Sequence, residues 1–314
     1  MRAPVTSIFR TVAKAASIVL LLVGCVVYPS LAQAESPYIR GLELYRKGSY
    51  QEAEKVLRAA LPEPPPPPPA QPGPLPLTPP PPPPPQPEEA HVRAMLGFTL
   101  LRGNHLADAE EQFSLVRRSH EPDSLSFGAV RSVGALGQGW AAFARGRTSE
   151  AVEILTDVLK RPAKSSALPD MLAESVPADA QFALGLIALG RGDAKTAQRH
   201  LEAATKGQDV LSSPKELYLA LGDARAQSGD ASGARSAWAE VARHASRFPG
   251  DAPRDELSRL KTARLLESSG DSGAALSLYA ELSGGKHYQV DALQGQARVL
   301  LARGNAEAAL PVLK

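Results

Sequence analysis

Four residue positions recur seven times along this 314-residue chain at one fixed spacing. A small residue comes first, a turn-forming residue follows seven positions later, an alanine five after that, and a large apolar residue four further on. The small positions are Gly41, Gly97, Gly139, Gly185, Gly222, Ala263 and Ala297, and the turn positions are Gly48, Asn104, Gly146, Gly192, Gly229, Gly270 and Gly304. The alanines are Ala53, Ala109, Ala151, Ala197, Ala234, Ala275 and Ala309; the large residues are Leu57, Phe113, Leu155, Leu201, Trp238, Tyr279 and Leu313. A period of this kind restricts the chain to a stacked repeat architecture, because a single unit is too small to bury its own apolar face.

Each unit reads as two helices joined by a tight turn. Glycine or asparagine at the turn position suits the left-handed backbone that ends a helix. The small residue lies two turns before the turn and the alanine one turn after it. They are expected to face each other, letting the two backbones approach, while the large residue fills the space where the helices splay. Leu44, Leu100, Leu266 and Leu300 fall on the same inner stripe. The run Gly41-x-x-Leu44, then Gly48-x-Tyr50-x-x-Ala53-x-x-x-Leu57, resembles the tetratricopeptide repeat family. The resemblance implies an all-α solenoid of about seven helix–turn–helix repeats whose first helices line a concave side. Repeats are expected at 35–61 and, within 88–314, at about 90–121, 132–161, 178–208, 214–246, 254–284 and 288–314. Successive alanines lie 34 to 56 residues apart, so extra residues are expected in connections 118–131, 160–177 and 243–253, or as lengthened helices. Arg259 and Thr262 make the first helix of repeat six the weakest assignment. Pro311 interrupts the final helix, and a solenoid ordinarily closes with a polar cap helix, so the last repeat is expected to fray, to dock its open face on a partner, or to continue beyond this sequence.

Two segments stand apart. Residues 1–34 carry Arg2, Arg10 and Lys14, no acid, and an apolar run from Ala15 to Val27, too short for a comfortable membrane span. With Pro29 and Ala32-Gln33-Ala34 behind it, this is read as an export signal cleaved after Ala34. Leu22-Val23-Gly24-Cys25 is also similar to the lipobox of bacterial lipoproteins, so lipidation at Cys25 is one alternative and an uncleaved anchor another. Each route places the rest of the chain outside the cytoplasm, and the expected address is the periplasm or the periplasmic face of the outer membrane. Residues 62–87 hold 18 of the 29 prolines. Proline fixes φ and lacks a donor, so this stretch is read as a disordered, polyproline linker: a spacer or a tolerated insertion between repeats one and two.

Chemistry is sparse. Beyond the leader, 32 basic residues face 33 acidic ones, which leaves no electrostatic basis for nucleic-acid binding. One cysteine excludes an internal disulfide, and the six histidines have neither i,i+4 spacing nor flanking carboxylates for a metal. Gly190 to Thr196 lacks the glycine a phosphate loop needs before its lysine, and is read as an interhelical turn with Asp193 as cap. Ser212-x-x-Lys215 has a hydrolase-like spacing, but Ser213-Pro214-Lys215-Glu216 is read as a capping box. Gly134, Gly137 and Gly139 sit within a helical pattern and form no dinucleotide fingerprint. No catalytic residue, cofactor or metal is therefore expected, and the chain is read as non-enzymatic.

In the family that the template resembles, ligands meet first-helix residues flanking the small position. Here these are Leu42 and Tyr45, Phe98 and Leu101, Trp140 and Phe143, and Leu186 and Leu189, with Phe182 nearby; burial between repeats is the competing reading. Repeats five to seven turn polar with Asp223, Arg264, Glu267 and Arg298. The expected partner is an amphipathic helix or apolar peptide of another envelope protein, with membrane contact only through the leader or a lipidated Cys25. The basic residues that clamp carboxylate tails in some relatives are missing: Tyr38, Ala94, Leu136 and Leu219 stand at one such position. An interaction scaffold of the bacterial cell envelope is the reading adopted. An outer-membrane lipoprotein assembly factor, a structural spacer, and a regulatory subunit of an envelope enzyme are the alternatives.

Overall fold

The computed structural model describes residues 36–62, 87–118, 125–160, 171–207, 211–246 and 248–312. The expected leader with Cys25 and Ala34, proline residues 64–85 and Leu313 lie outside them. The described residues form fourteen α-helices and no strand. The seven pairs are α1 (Pro37–Lys47) with α2 (Tyr50–Ala59), α3 (Pro87–Arg102) with α4 (Leu106–Arg118), α5 (Leu125–Ala144) with α6 (Thr148–Lys160), α7 (Met171–Gly190) with α8 (Ala194–Ala204), α9 (Pro214–Gln227) with α10 (Ala231–Arg243), α11 (Ala252–Ser268) with α12 (Ser272–Ser283), and α13 (Gln289–Ala302) with the short α14 (Ala306–Ala309).

The turns follow from backbone sterics. All seven turn positions have positive φ: Gly48 at 77°, Asn104 at 62°, and the remaining five glycines between 74° and 86°. An L-residue pays roughly 1–2 kcal/mol there, and asparagine less than most. The left-handed residue returns its N–H to the helix just ended, Gly48 N to Tyr45 O at 3.0 Å, and the next amide reaches Leu44 O at 3.0 Å. A polar side chain then caps the second helix in several pairs. Asp193 accepts from Thr196 N, Asp230 from Gly233 N, Asp271 from Ala274 N and Asn305 from Ala308 N.

Within a pair the contact differs from the expected glycine–alanine approach. The seven alanines are buried, at 0–1% exposure. Yet the space above each of the first four small residues is filled by the large residue itself. A Cβ on Gly41 would lie 2.5 Å from Leu57, and one on Gly97, Gly139 or Gly185 would lie 2.6 Å from Phe113, Leu155 or Leu201. For Gly139 the next nearest residue is Ile154 at 3.6 Å, so Ala151 is not what the glycine accommodates. Glycine is selected because a knob of four or more carbons from the second helix lies flat on the first helix's backbone.

The same knob meets the following pair. Phe113, fully buried, is held between Gly97 of its own pair and Gly137 of α5, where a Cβ would overlap its ring. Tyr279 likewise rests on Gly295 of α13. Gly137 and Gly295 occupy the position two before the small residue. Where the preceding knob is leucine, that position holds Met95, Ala183 or Ala220 instead. At two of the three aromatic knobs a glycine answers across the repeat boundary, and this accounts for Gly137 in the Gly-x-x-Gly-x-Gly run. Trp238 is followed by Lys261 and turns its indole N–H to Leu219 O at 3.3 Å.

Stacking is continuous. First helices contact one another in order from α1 to α13, and each second helix contacts the next first helix. The first pair packs on α3 through both of its helices, so repeat one is stacked on repeat two across the proline segment. The large gaps between alanines are taken up partly by helix. α5 and α7 are 20 residues each, and Pro177, expected in a connection, lies inside α7 at the cost of one intrahelical hydrogen bond. Arg259 and Thr262 do not prevent α11: Leu260, Ala263 and Leu266 are buried, and Thr262 Oγ1 donates to Ser258 O at 2.9 Å.

Candidate functional site

The first helices α1, α3, α5 and α7 bring the expected partner-facing residues to one side of the stack. Leu42, Tyr45, Phe98 and Phe182 are buried there at 2–3% exposure, while Leu101, Trp140, Phe143, Leu186 and Leu189 are half-buried. Trp140 is central. Its ring lies 6.1 Å from Phe143 on its own helix and 6.0 Å from Phe182 on α7, both tilted at 53°. Tyr45, Phe98, Leu101, Trp140 and Phe182 line a common cavity of about 140 Å³ with Arg102, Ala144, Leu211, Ser212 and Glu216. Leu42, Phe143, Leu186 and Leu189 lie outside its lining.

The cavity is closed on one side by the chain's own connections. Tyr45 Oη donates to Leu211 O at 3.1 Å and accepts from Arg102 Nε at 3.1 Å; Arg102 Nη2 also donates to Leu211 O at 3.3 Å. Phe248 meets the Tyr45 ring edge-on at 6.2 Å. Repeat one is thus tied to the segments before and after repeat five, which requires the stack to curve inward on this face. Burial pushes the Tyr45 phenol above its ordinary pKa, although Arg102 beside it acts the other way. The phenol accordingly stays neutral near pH 7 and offers Arg102 a dipole, not a counter-charge.

A polar lattice holds these connections in place. Ser212 Oγ donates to Asp179 Oδ1 at 2.6 Å, and Ser213 Oγ donates to Asp251. Asp251 also accepts from Phe248 N at 3.0 Å and from Arg254 at 2.7 Å, and Arg254 reaches Glu216 at 2.9 Å. Lys215, whose side chain is only 3% exposed, donates to Asp255 at 2.6 and 2.8 Å. These contacts correct the capping-box reading. Ser213 stands at the N-cap with Pro214 in the first turn, but it makes no side-chain cap bond, because a buried carboxylate is the stronger acceptor for its hydroxyl. Ser212 and Lys215 face different carboxylates, so their hydrolase-like spacing brings no nucleophile and base together.

Farther along, the inner face becomes a ladder of charges between successive first helices. Lys261 pairs with Asp223 at 2.9 Å, Arg264 with Asp291 at 2.6 Å, and Arg298 with Glu267 at 2.5 Å. Glu267 also accepts from Tyr279 Oη at 2.7 Å. The Arg298 guanidinium holds the Glu267 carboxyl below its usual range, and burial followed by Glu267 pushes Tyr279 up to about 12.

Sequence reasoning does not find Arg102, Leu211, Ser212, Glu216 or Phe248 as parts of this site. Arg102 has a faint signal, as a cation following an apolar first-helix stripe. Leu211 and Phe248 have none, because their contacts depend on how tightly the stack curves.

The tetratricopeptide repeat family model matches residues 136–195 and 182–252. Among solved structures, that of Pseudomonas aeruginosa pilF is 16% identical, over 72% of this chain and 90% of its own, at a TM-score of 0.49. The C-terminal part of a TPR repeat-containing protein from Cytophaga hutchinsonii is 13% identical over 88% and 93%, at 0.49. A thermophilic TPR protein of Thermus thermophilus is 23% identical over 73% and 97%, at 0.43. No curated protein matches the sequence. The family that the sevenfold template resembles is thus supported by a direct match to tetratricopeptide repeats across the middle of the chain, on pairs three to five.

Proposed function

We propose that this chain is a non-enzymatic interaction scaffold of the bacterial cell envelope, binding a partner peptide or helix on its concave face. Tetratricopeptide repeats mediate protein–protein interaction as a class, and the family match supports that level of the reading. The observation that carries the finer one is the row of half-buried Trp140, Phe143, Leu186 and Leu189 on neighbouring first helices α5 and α7. Large apolar side chains left partly open in a row are what an apolar partner surface needs. Export rests on the basic start, short apolar run and small-residue motif of residues 1–34.

The partner reading is tested by capture from envelope extracts with wild-type protein and with Trp140→Ala and Leu189→Glu variants of unchanged helicity. A scaffold using this face loses at least one captured protein in both variants. Identical captured sets would refute it. Export is tested by fusing residues 1–34 to a reporter active only outside the cytoplasm, and an inactive fusion would refute it. Fatty-acid labelling of wild type and Cys25→Ala decides the anchor, since equal labelling excludes Cys25.

A further inference from the structure

The cavity beneath Trp140 has a size and a charge that partner docking does not use. Its volume of about 140 Å³ compares with the roughly 150 Å³ of an engineered apolar cavity that accepts benzene. Phe98, Phe182, Leu101 and Trp140 supply apolar walls for a single ring. Arg102 is exposed at the rim, and its guanidinium is fixed in advance by Tyr45 Oη and Leu211 O. Both acceptors are neutral, and among the described residues no ion pair joins Arg102 to a carboxylate, although Glu216 on the same wall acts on it electrostatically. The carboxylate on the wall, Glu216, is turned to Arg254 at 2.9 Å.

We infer that this cavity is a binding site for a small aryl monocarboxylate, with the ring between Phe98, Trp140 and Phe182 and the carboxylate at the rim on Arg102. The planar guanidinium fork matches a carboxylate, and donors remain on it after Tyr45 and Leu211 are served. Glu216 nearby repels anions in proportion to their charge, so dianions such as phosphate monoesters are disfavoured more than a monocarboxylate. The apolar walls work against carboxylates whose remainder is polar, and the aromatic side chains among them favour a ring. The site shares Trp140 with the proposed partner face but needs no partner to bind its ligand, so its test uses the protein alone.

Isothermal titration calorimetry of the purified full-length protein with 3-phenylpropionate and its neutral isostere 3-phenylpropanamide is the experiment. The acid binds saturably with a Kd below about 1 mM, and the amide binds about tenfold more weakly. Arg102→Met reduces the acid to the level of the amide, and Ala144→Trp, at an exposed position on the rim, abolishes both. Equal affinity of acid and amide for the unmodified protein would overturn the inference, as would no saturable binding of the acid. Binding unchanged in Ala144→Trp would place it elsewhere and overturn the inference too. The acid–amide comparison needs no variant, so it decides even where Arg102→Met does not fold.

Discussion

Replacing Gly137 with alanine sets two opposed effects against each other. Alanine is favoured over glycine inside a helix by roughly 1 kcal/mol, so an unobstructed site would gain stability. At Gly137 the new methyl would overlap the ring of Phe113, which is fully buried and already bounded by Gly97 on its other side. The ring has nowhere to move, and overpacking of this kind costs about 1–3 kcal/mol or more. The clash wins, and a net loss of about 1–2 kcal/mol is expected. Gly190→Ala is the control: a methyl added to this helical residue would meet nothing within 4 Å, and the change should add up to roughly 1 kcal/mol. Phe113→Leu should partly rescue Gly137→Ala, giving a coupling of about 1 kcal/mol or more in a double-mutant cycle. Urea unfolding followed by circular dichroism measures every protein in the set. The reasoning is refuted if Gly137→Ala is as stable as wild type, or if the two substitutions are additive.

At the left-handed turn that carries asparagine, Asn104→Ala should destabilise by about 1 kcal/mol while Asn104→Gly does not, as thermal unfolding will report. The Lys215–Asp255 pair is lopsided, with side chains 3% and 35% exposed. Asp255→Ala strands a buried ammonium and should cost about 3 kcal/mol, whereas Lys215→Met leaves a carboxylate that water can reach and should cost about 1 kcal/mol or less; equal losses in denaturant titrations would contradict this. Tyr279, raised to about 12, holds its proton in the folded chain while an unfolded tyrosine releases it near pH 10. Its contribution is complete below about pH 10 and is lost as pH rises through 12, so Tyr279→Phe should flatten the alkaline decline in stability. Glu267, lowered by Arg298, acts at the other end: its contribution is present above the unfolded carboxyl pKa of about 4.3 and is lost as pH falls through the lower folded value. Glu267→Gln should therefore weaken the acid dependence, and an unchanged acid limb would count against the pairing.

The turns were legible because their requirement is local. A residue such as Gly192 is demanded by the backbone of its own helix end, whatever surrounds it. The helix pairing was legible from the same recurrence, but the reason for the small residue was not. Spacing says that Gly41, Ala53 and Leu57 are coupled, and only the packing reveals that Leu57 covers the glycine. The rule linking Gly137 to Phe113 and Gly295 to Tyr279 joins two different repeats, so a template read within one repeat passes over it. The candidate site was legible where it belongs to first-helix positions, as with Trp140 and Phe98. Leu211 and Phe248 come from connections without periodicity, and the capping box that the sequence suggests at Ser213 fails because its hydroxyl goes to Asp251 and Glu216 is drawn to Arg254.

Repeat one offers the most direct test of the claim that these helix pairs persist by stacking on their neighbours. Alone, a helical hairpin of 23 residues, Pro37 to Ala59, is too short to hold its structure in water. Hydrogen–deuterium exchange of the full-length protein should find α1 and α2 protected comparably to α3 and α4, because Tyr45 is tied to Leu211 and both helices rest on α3. Exchange of α1 and α2 at unprotected rates, with the later pairs still protected, would contradict the account.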